Sequence, residues 1–147
     1  MKSRKEWDML YMDMAKRYSQ ETSCLRRAVG ACITIQNRAV CFGYNGAPSG
    51  ITSCKEKGHC LREKSPSGSN LQNCIGLHSE MNAILQAAKL GISIEGGTIY
   101  CTHKPCSLCA KLIIGAGMKR VVYEHDYPDE LGEQLLKEAN IELVCLK

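Results

Sequence analysis

No stretch of this sequence stays apolar for long enough to cross a bilayer as a helix. The first eighteen residues lack the unbroken hydrophobic core of a secretory signal, being charged at Lys2, Arg4, Lys5, Glu6 and Asp8. A cytoplasmic setting is therefore expected. Runs of like charge are also missing: 19 Lys and Arg against 15 Asp and Glu leave a net +4 spread along the chain. That dispersion argues against an obligatory nucleic-acid groove and suits a small phosphorylated ligand equally well. There are no internal repeats, linkers or low-complexity tracts. With 147 residues, 44% hydrophobic and 23% charged, the chain is expected to fold as one domain, residues 1–147, around a single core.

What the sequence does have is cysteine, ten in all. Without a signal peptide the expected compartment is reducing, where clustered cysteines hold metal more often than they form disulfides.

Residues 4–19 place Trp7, Leu10, Tyr11, Met14 and Tyr18 at helical spacing, which predicts an amphipathic first helix. Residues 29–35 and 39–44 are short apolar or β-branched runs separated by Gln36, Asn37 and Arg38, as in a hairpin. Residues 43–77 show no sustained period and read as a long loop, of the kind that is functional or pinned by something. Regular alternation follows: helix 79–90, strand 98–102, helix 106–116, strand 120–123, helix 129–140 and strand 141–146. Such a pattern predicts a sheet with helices packed on its faces.

Two motifs open successive predicted helices: His78-Ser79-Glu80 and Pro105-Cys106-Ser107-Leu108-Cys109. Cysteines three apart on a helical first turn face the same way and can share a zinc ion, with His78 as third ligand from the neighbouring helix. Three protein ligands leave the fourth tetrahedral position to water, the mark of a catalytic site. Pro105 suits a helix start, and the positive end of the helix dipole favours thiolates there. Glu80, two residues past the histidine, reaches the site without ligating and is the natural proton carrier. Taken alone, Cys106 and Cys109 would equally suit half of a structural zinc site or a redox pair.

His-x-Glu followed by Pro-Cys-x-x-Cys resembles the signature of the zinc-dependent nucleobase deaminases. Gly43-Tyr44-Asn45-Gly46-Ala47-Pro48-Ser49-Gly50, together with Val29-Gly30-Ala31-Cys32 and His78-Ser79-Glu80-Met81-Asn82-Ala83-Ile84, resembles the cytidine/deoxycytidylate deaminase family over nearly the whole chain. The resemblance implies a three-layer α/β/α fold on a five-stranded mixed sheet, with the two zinc helices side by side on one face. It implies hydrolysis of dCMP to dUMP with release of ammonia, His78, Cys106 and Cys109 holding a catalytic Zn2+ and Glu80 acting as acid and base. It also implies a homo-oligomer, commonly a hexamer, and in some members dCTP and dTTP as effectors. Nucleoside-level cytidine deaminases usually carry cysteine at the His78 position, and the tRNA adenosine deaminases lack the Tyr-Asn-Gly loop. Deamination of another free nucleotide or of a nucleic-acid base, or a zinc module without activity, are the alternatives.

In the family the loop asparagine contacts the sugar, which makes Asn45 a candidate; an asparagine in a left-handed turn beside glycines is the plainer reading. Ser79, Arg26 and Tyr123 are the other substrate-contact candidates, with Arg27 and Lys104 as further phosphate donors and His103 at the pocket rim. Cys32, Cys41, Cys101 and Cys145 lie in apolar strands and are expected to be inert core residues. Cys24, Cys54, Cys60 and Cys74 lie in or beside irregular chain, where a structural zinc could tie the loop down. Some family members carry such a second zinc, and Cys24 and Cys54 fall where two of its ligands are expected. Cys60 and Cys74 complete the set, with His59 as the substitute for Cys60.

Overall fold

The structure is a computed structural model describing residues 1–147. Helix α1 (Arg4–Ser19) opens with a capping box in which Ser3 and Glu6 satisfy each other's backbone N–H groups. It leads to β1 (Gly30–Ile35) and β2 (Arg38–Tyr44). Gln36 and Asn37 join them, both at positive φ (49° and 57°), the backbone of a two-residue hairpin turn. The long loop that follows holds only a four-residue helix, α2 (Cys54–Lys57), and a 3-10 turn over Leu71–Asn73. Then come α3 (Ser79–Leu90), β3 (Thr98–His103), α4 (Ser107–Gly115), β4 (Arg120–His125), α5 (Glu130–Glu138) and β5 (Glu142–Cys145).

The strands form one sheet in the order β2-β1-β3-β4-β5, with β1 antiparallel to both neighbours and β3, β4 and β5 parallel. The five-stranded mixed sheet expected from the sequence is therefore present. Side chains alternate across it. Ile33, Ile99, Cys101 and Val121 bury one face against Ala83 and Ala87 of α3, Ala110 and Ile113 of α4 and Leu136 of α5. Cys32, Tyr100 and Val122 bury the other against Tyr11, Met12 and Ala15 of α1. Helices thus cover both faces, with α3 and α4 together on one of them.

The α1 layer is also tied down by charge. Asp8, 3% exposed, receives two 2.7 Å hydrogen bonds from Arg120 of β4 and one of 2.8 Å from the Tyr100 hydroxyl. Burial works to raise this carboxyl, but the hydrogen bonds from Arg120 and Tyr100 outweigh it and hold it below the usual aspartate value. Apolar periodicity places α1 on the sheet; this ion pair adds a single register.

Two glycines set how near the helices come. A Cβ on Gly30 would strike the Ala15 carbonyl of α1. A Cβ on Gly43 would strike the Ser79 carbonyl and sit 2.7 Å from the Ala83 nitrogen, so β2 touches the first turn of α3 only because residue 43 has no side chain.

Two expectations need correction. Cys145 is exposed on the edge strand β5, unlike the buried Cys32, Cys41 and Cys101. Strand β4 runs two residues past Tyr123 and pairs His125 with His103, so Tyr123 lies within a strand rather than at its end.

Candidate active site

Helices α3 and α4 start side by side at the C-terminal end of β3, and each begins with a residue whose side chain is not used as a cap. His78 is the N-cap of α3 in extended backbone (φ −67°, ψ 155°) and Cys106 the N-cap of α4 (φ −73°, ψ 173°). Both side chains are thereby free to meet. His78 Nδ1 lies 3.4 Å from Cys106 Sγ and 3.3 Å from Cys109 Sγ, and the three ligand atoms fall within 4.8 Å of one another. Tetrahedral zinc bonds of about 2.1–2.3 Å place neighbouring ligands about 3.5–3.8 Å apart, so spacing and donor set both fit zinc. No other group of three His, Cys, Asp or Glu closes this tightly.

Protonation suits the same end. The Cys106 thiol is held down to about 4, chiefly by the hydrogen bond with Cys109, then by His78, against the opposing effect of burial. Cys109 is pushed well above the usual thiol range by that same bond and by burial; metal binding to such a thiol releases its proton. Glu80 is 4% exposed, accepts a 2.6 Å hydrogen bond from Ser79 Oγ and forms no ion pair with a lysine or arginine. Burial raises its carboxyl above the ordinary glutamate value. Raising a carboxyl in this way suits it to take up a proton and return it.

Because Cys106 is turned to the metal position, α4 takes its cap from elsewhere. Asp129 Oδ2 accepts the Ser107 N–H at 2.7 Å while its Oδ1 caps α5 at Gly132 N–H, 3.0 Å. One carboxylate therefore secures two helix starts. A Cβ on Gly132 would come within 3.0 Å of the Pro105 oxygen and the Ser107 nitrogen, so that glycine lets α5 reach the cysteine turn. The sequence reading placed Asp129 at the start of a helix; nothing local indicated that it serves another one.

Above the metal position lies a cavity of about 190 Å³. His78, Ser79, Glu80 and Cys106 line it together with Arg26, Arg27, Arg62 and Tyr127, and with His103 and Asn45. Arg27 donates to Ser67 Oγ at 3.0 Å and stands 5.1 Å over the Tyr127 ring. Arg26 spends its terminal nitrogens on the Arg62 carbonyl and, at 2.9 Å, the Ser65 carbonyl. His103 is kept neutral, its basicity lowered to about 4 by burial and by the charge of Arg27. Tyr123 does not reach the cavity, and Lys104 sits 5.9 Å over its ring. Lys104 is itself nearly buried and paired with Asp126 (2.7 Å) and Glu133 (3.0 Å), so its charge is already matched. Tyr127 and Arg62 were not anticipated. Both lie in stretches without period, where only a Tyr-Pro turn and a basic residue beside a cysteine could have marked them.

Asn45 lines the cavity, but its amide is engaged: Nδ2 donates to the Arg27 carbonyl (2.6 Å) and Oδ1 accepts from Val29 N–H (2.9 Å) and Thr22 Oγ1 (2.7 Å). Its φ is not positive, which overturns the left-handed turn reading. Asn45 pins residues 22–29, which carry Cys24, Arg26 and Arg27, to the end of β2. The adjoining Gly46 pairs with Leu77 through two backbone hydrogen bonds, 3.1 and 2.7 Å, and so joins the loop to the residue preceding His78.

Cys24, Cys54, Cys60 and Cys74 gather in one neighbourhood. Burial raises the Cys54 thiol, and the charges of Cys60, Cys24 and Cys74 raise it further. Cys24 Sγ accepts the Arg26 N–H at 3.4 Å and Cys60 Sγ the Arg62 N–H at 3.3 Å. Their spacing is wider than at the first centre. His59 is exposed, its Nδ1 3.4 Å from the Lys57 carbonyl, whereas Cys60 is buried.

Residues 5–125 match the family model for the cytidine and deoxycytidylate deaminase zinc-binding region. A deoxycytidylate deaminase of Schizosaccharomyces pombe is 37% identical over 143 residues, covering 95% of this chain; the chain spans 44% of that relative's length. One from Mycobacterium phage D29 is 34% identical over 125 residues, covering 82% of this chain and 96% of its own. The crystal structure of dCMP deaminase from the cyanophage S-TIM5 in complex with dCMP and dUMP superposes with a TM-score of 0.81 at 33% identity, covering 97% of this chain and 98% of that one. Match, ligand geometry and fold agree, and the chain belongs to the cytidine and deoxycytidylate deaminase family.

Proposed function

We propose that this chain is a hydrolytic deaminase converting dCMP to dUMP with release of ammonia. The observation that carries the reading is the make-up of one cavity: His78, Cys106 and Glu80 line it together with Arg26, Arg27 and Arg62, and none of these arginines forms an ion pair with a carboxylate. A cytosine ring beside the metal ligands and a 5′-phosphate among the guanidinium groups would satisfy both. The cyanophage enzyme, crystallised with dCMP and dUMP, supports the assignment.

His78, Cys106 and Cys109 would hold zinc, which when bound activates water toward the amine-bearing ring carbon. Glu80 would take one proton from the attacking water and pass it to the adjacent ring nitrogen, then take the second from the hydroxyl added to the ring carbon and hand it to the amine, which leaves as ammonia. Ser79 fixes the Glu80 carboxyl by its hydrogen bond. Asn45 acts on the sugar through the loop it anchors, and Arg26 holds the loop that faces the phosphate. Cys24, Cys54, Cys60 and Cys74 would hold a second, structural zinc, and the all-thiol donor set fits that ion. A homo-oligomer, a cytoplasmic setting and effector binding by dCTP or dTTP belong to the same reading. No helix is long and apolar enough to cross a membrane.

The test is ammonia release across a panel of dCMP, CMP, dCTP, deoxycytidine, guanine and a cytosine-containing oligonucleotide. Turnover is expected to be greatest with dCMP. Preferred turnover of the oligonucleotide, falling with salt, would replace this reading with nucleic-acid editing.

A further inference from the structure

The tripeptide Cys-Leu-Arg occurs twice, at residues 24–26 and 60–62, and the two copies fold alike. In each, the cysteine sulfur accepts the N–H of the arginine two residues on, and in each that arginine lines the catalytic cavity. The copies are also joined, since the Arg26 guanidinium donates to the Arg62 carbonyl. Their arginines differ in what the side chain does. Arg26 is exposed and is committed through both terminal nitrogens to loop carbonyls. Arg62 is 8% exposed, and only its Nε has a partner, the Ser69 carbonyl at 2.9 Å. It forms no ion pair, and no buried side-chain nitrogen of the protein lacks a hydrogen bond. The terminal nitrogens of Arg62 therefore open to the cavity. A nearly buried cation with no anion beside it is costly unless a ligand supplies one.

We propose that Arg62 is the residue that recognises the substrate's 5′-phosphate, and that the second cysteine cluster sets phosphate selectivity by holding Arg62 in place. This inference rests on the nucleotide reading above. The planar guanidinium, fixed at Nε by Ser69 and at its backbone by Cys60 and Arg26, offers its two outer nitrogens as a fork to two phosphate oxygens. Arg27, stacked on Tyr127, adds charge at the same mouth. A donor pair discriminates only if its position is fixed, and the Cys60 sulfur and the Arg26 guanidinium both hold the Arg62 backbone.

The ratio of kcat/KM for dCMP to kcat/KM for deoxycytidine, measured by ammonia release on the zinc-loaded protein, reads the phosphate contribution. Arg62→Gln is expected to lower that ratio about 100-fold, the worth of two hydrogen bonds to a charged group, with KM for dCMP rising far more than kcat falls. A ratio equal to that of the wild type, or equal losses for both ligands, would overturn the assignment. Should Arg62→Gln not fold, Arg62→Lys serves: the ratio falls part of the way if the fork binds phosphate and stays unchanged if the side chain merely packs. Cys60→Ser, which removes the sulfur accepting the Arg62 N–H, is expected to lower the ratio in the same direction; an unchanged ratio would separate the cluster from phosphate recognition. A wild-type protein that does not prefer dCMP to deoxycytidine would refute the nucleotide reading itself, a result distinct from a wild-type preference that survives loss of Arg62.

Discussion

Burial, the Ser79 hydrogen bond and the proximity to His78 meet at Glu80, the proposed proton carrier. Replacing it with alanine removes that group and leaves all three ligands in place. Glu80→Ala is expected to lower ammonia release by at least about 10²- to 10⁴-fold, with zinc content by elemental analysis unchanged. A variant retaining a substantial share of wild-type turnover would sink the mechanism. His103 gives a second residue-level expectation. Its basicity is lowered in the fold from 6.5 to about 4, first by burial and then by Arg27, so the folded protein favours the neutral ring. The unfolded chain takes up the proton first on acidification. The neutral ring's contribution to stability is thus complete above pH 6.5 and is lost as pH falls toward 4. His103→Gln should therefore lose less stability than the wild type across that window in urea melts at stepped pH, and parallel losses would contradict the assignment.

At the scale of elements, the centre is two helix starts brought together, and each start depends on a contact from outside its own helix. Gly43 lets β2 touch α3, and Asp129 caps α4 in place of Cys106. Asp129→Ala frees the Ser107 and Gly132 N–H groups together, which is expected to cost about 2 kcal/mol of stability. Since the first turn of α4 carries the zinc cysteines, zinc affinity should also fall about 10-fold in competition with a chelator. Asp129→Asn, which keeps an acceptor, should recover most of both, and a stability loss with unchanged zinc affinity would show that the cap does not reach the metal. This dependence also marks what the sequence could disclose. His78, Glu80, Cys106 and Cys109 were legible because each pair sits within one turn of one helix, where spacing alone fixes direction. Helices and strands were legible from their periods, with errors of a few residues at the ends. The extra length of β4 came from pairing with β3, which no local pattern encodes, and it moved the expected aromatic contact from Tyr123 to Tyr127. Asp129 acts on Ser107 across 22 residues of chain, and Arg62 is held by Arg26 from 36 residues away, so these neighbours become visible only in the fold.

For the molecule as a whole, a rigid sheet-and-helix body carries the metal centre while residues 43–77 form the wall facing it, and the two parts draw stability from different sources. The body buries Ile33, Ile99, Val121, Ile113 and Leu136 completely. In the wall, between residues 47 and 76, only Ser53, Cys60 and Arg62 are buried, so apolar burial contributes little there and cross-links must do the rest. Asn45 and the Gly46–Leu77 pairing fasten its two ends, and hydrogen bonds from Arg26 and Arg27 to residues 62, 65 and 67 tie its middle to the segment carrying Cys24. A zinc at Cys24, Cys54, Cys60 and Cys74 would supply folding energy directly. Cys54→Ser is accordingly expected to lose one zinc of two, lower the melting temperature and open residues 45–77 to hydrogen exchange well before the sheet. KM for dCMP should rise through the displaced wall while kcat changes less, since His78, Glu80, Cys106 and Cys109 stand on the body. Wild-type protein purified without chelators should carry two zinc ions per chain. A single ion, or protection of the wall that survives the substitution, would show that hydrogen bonds alone hold it.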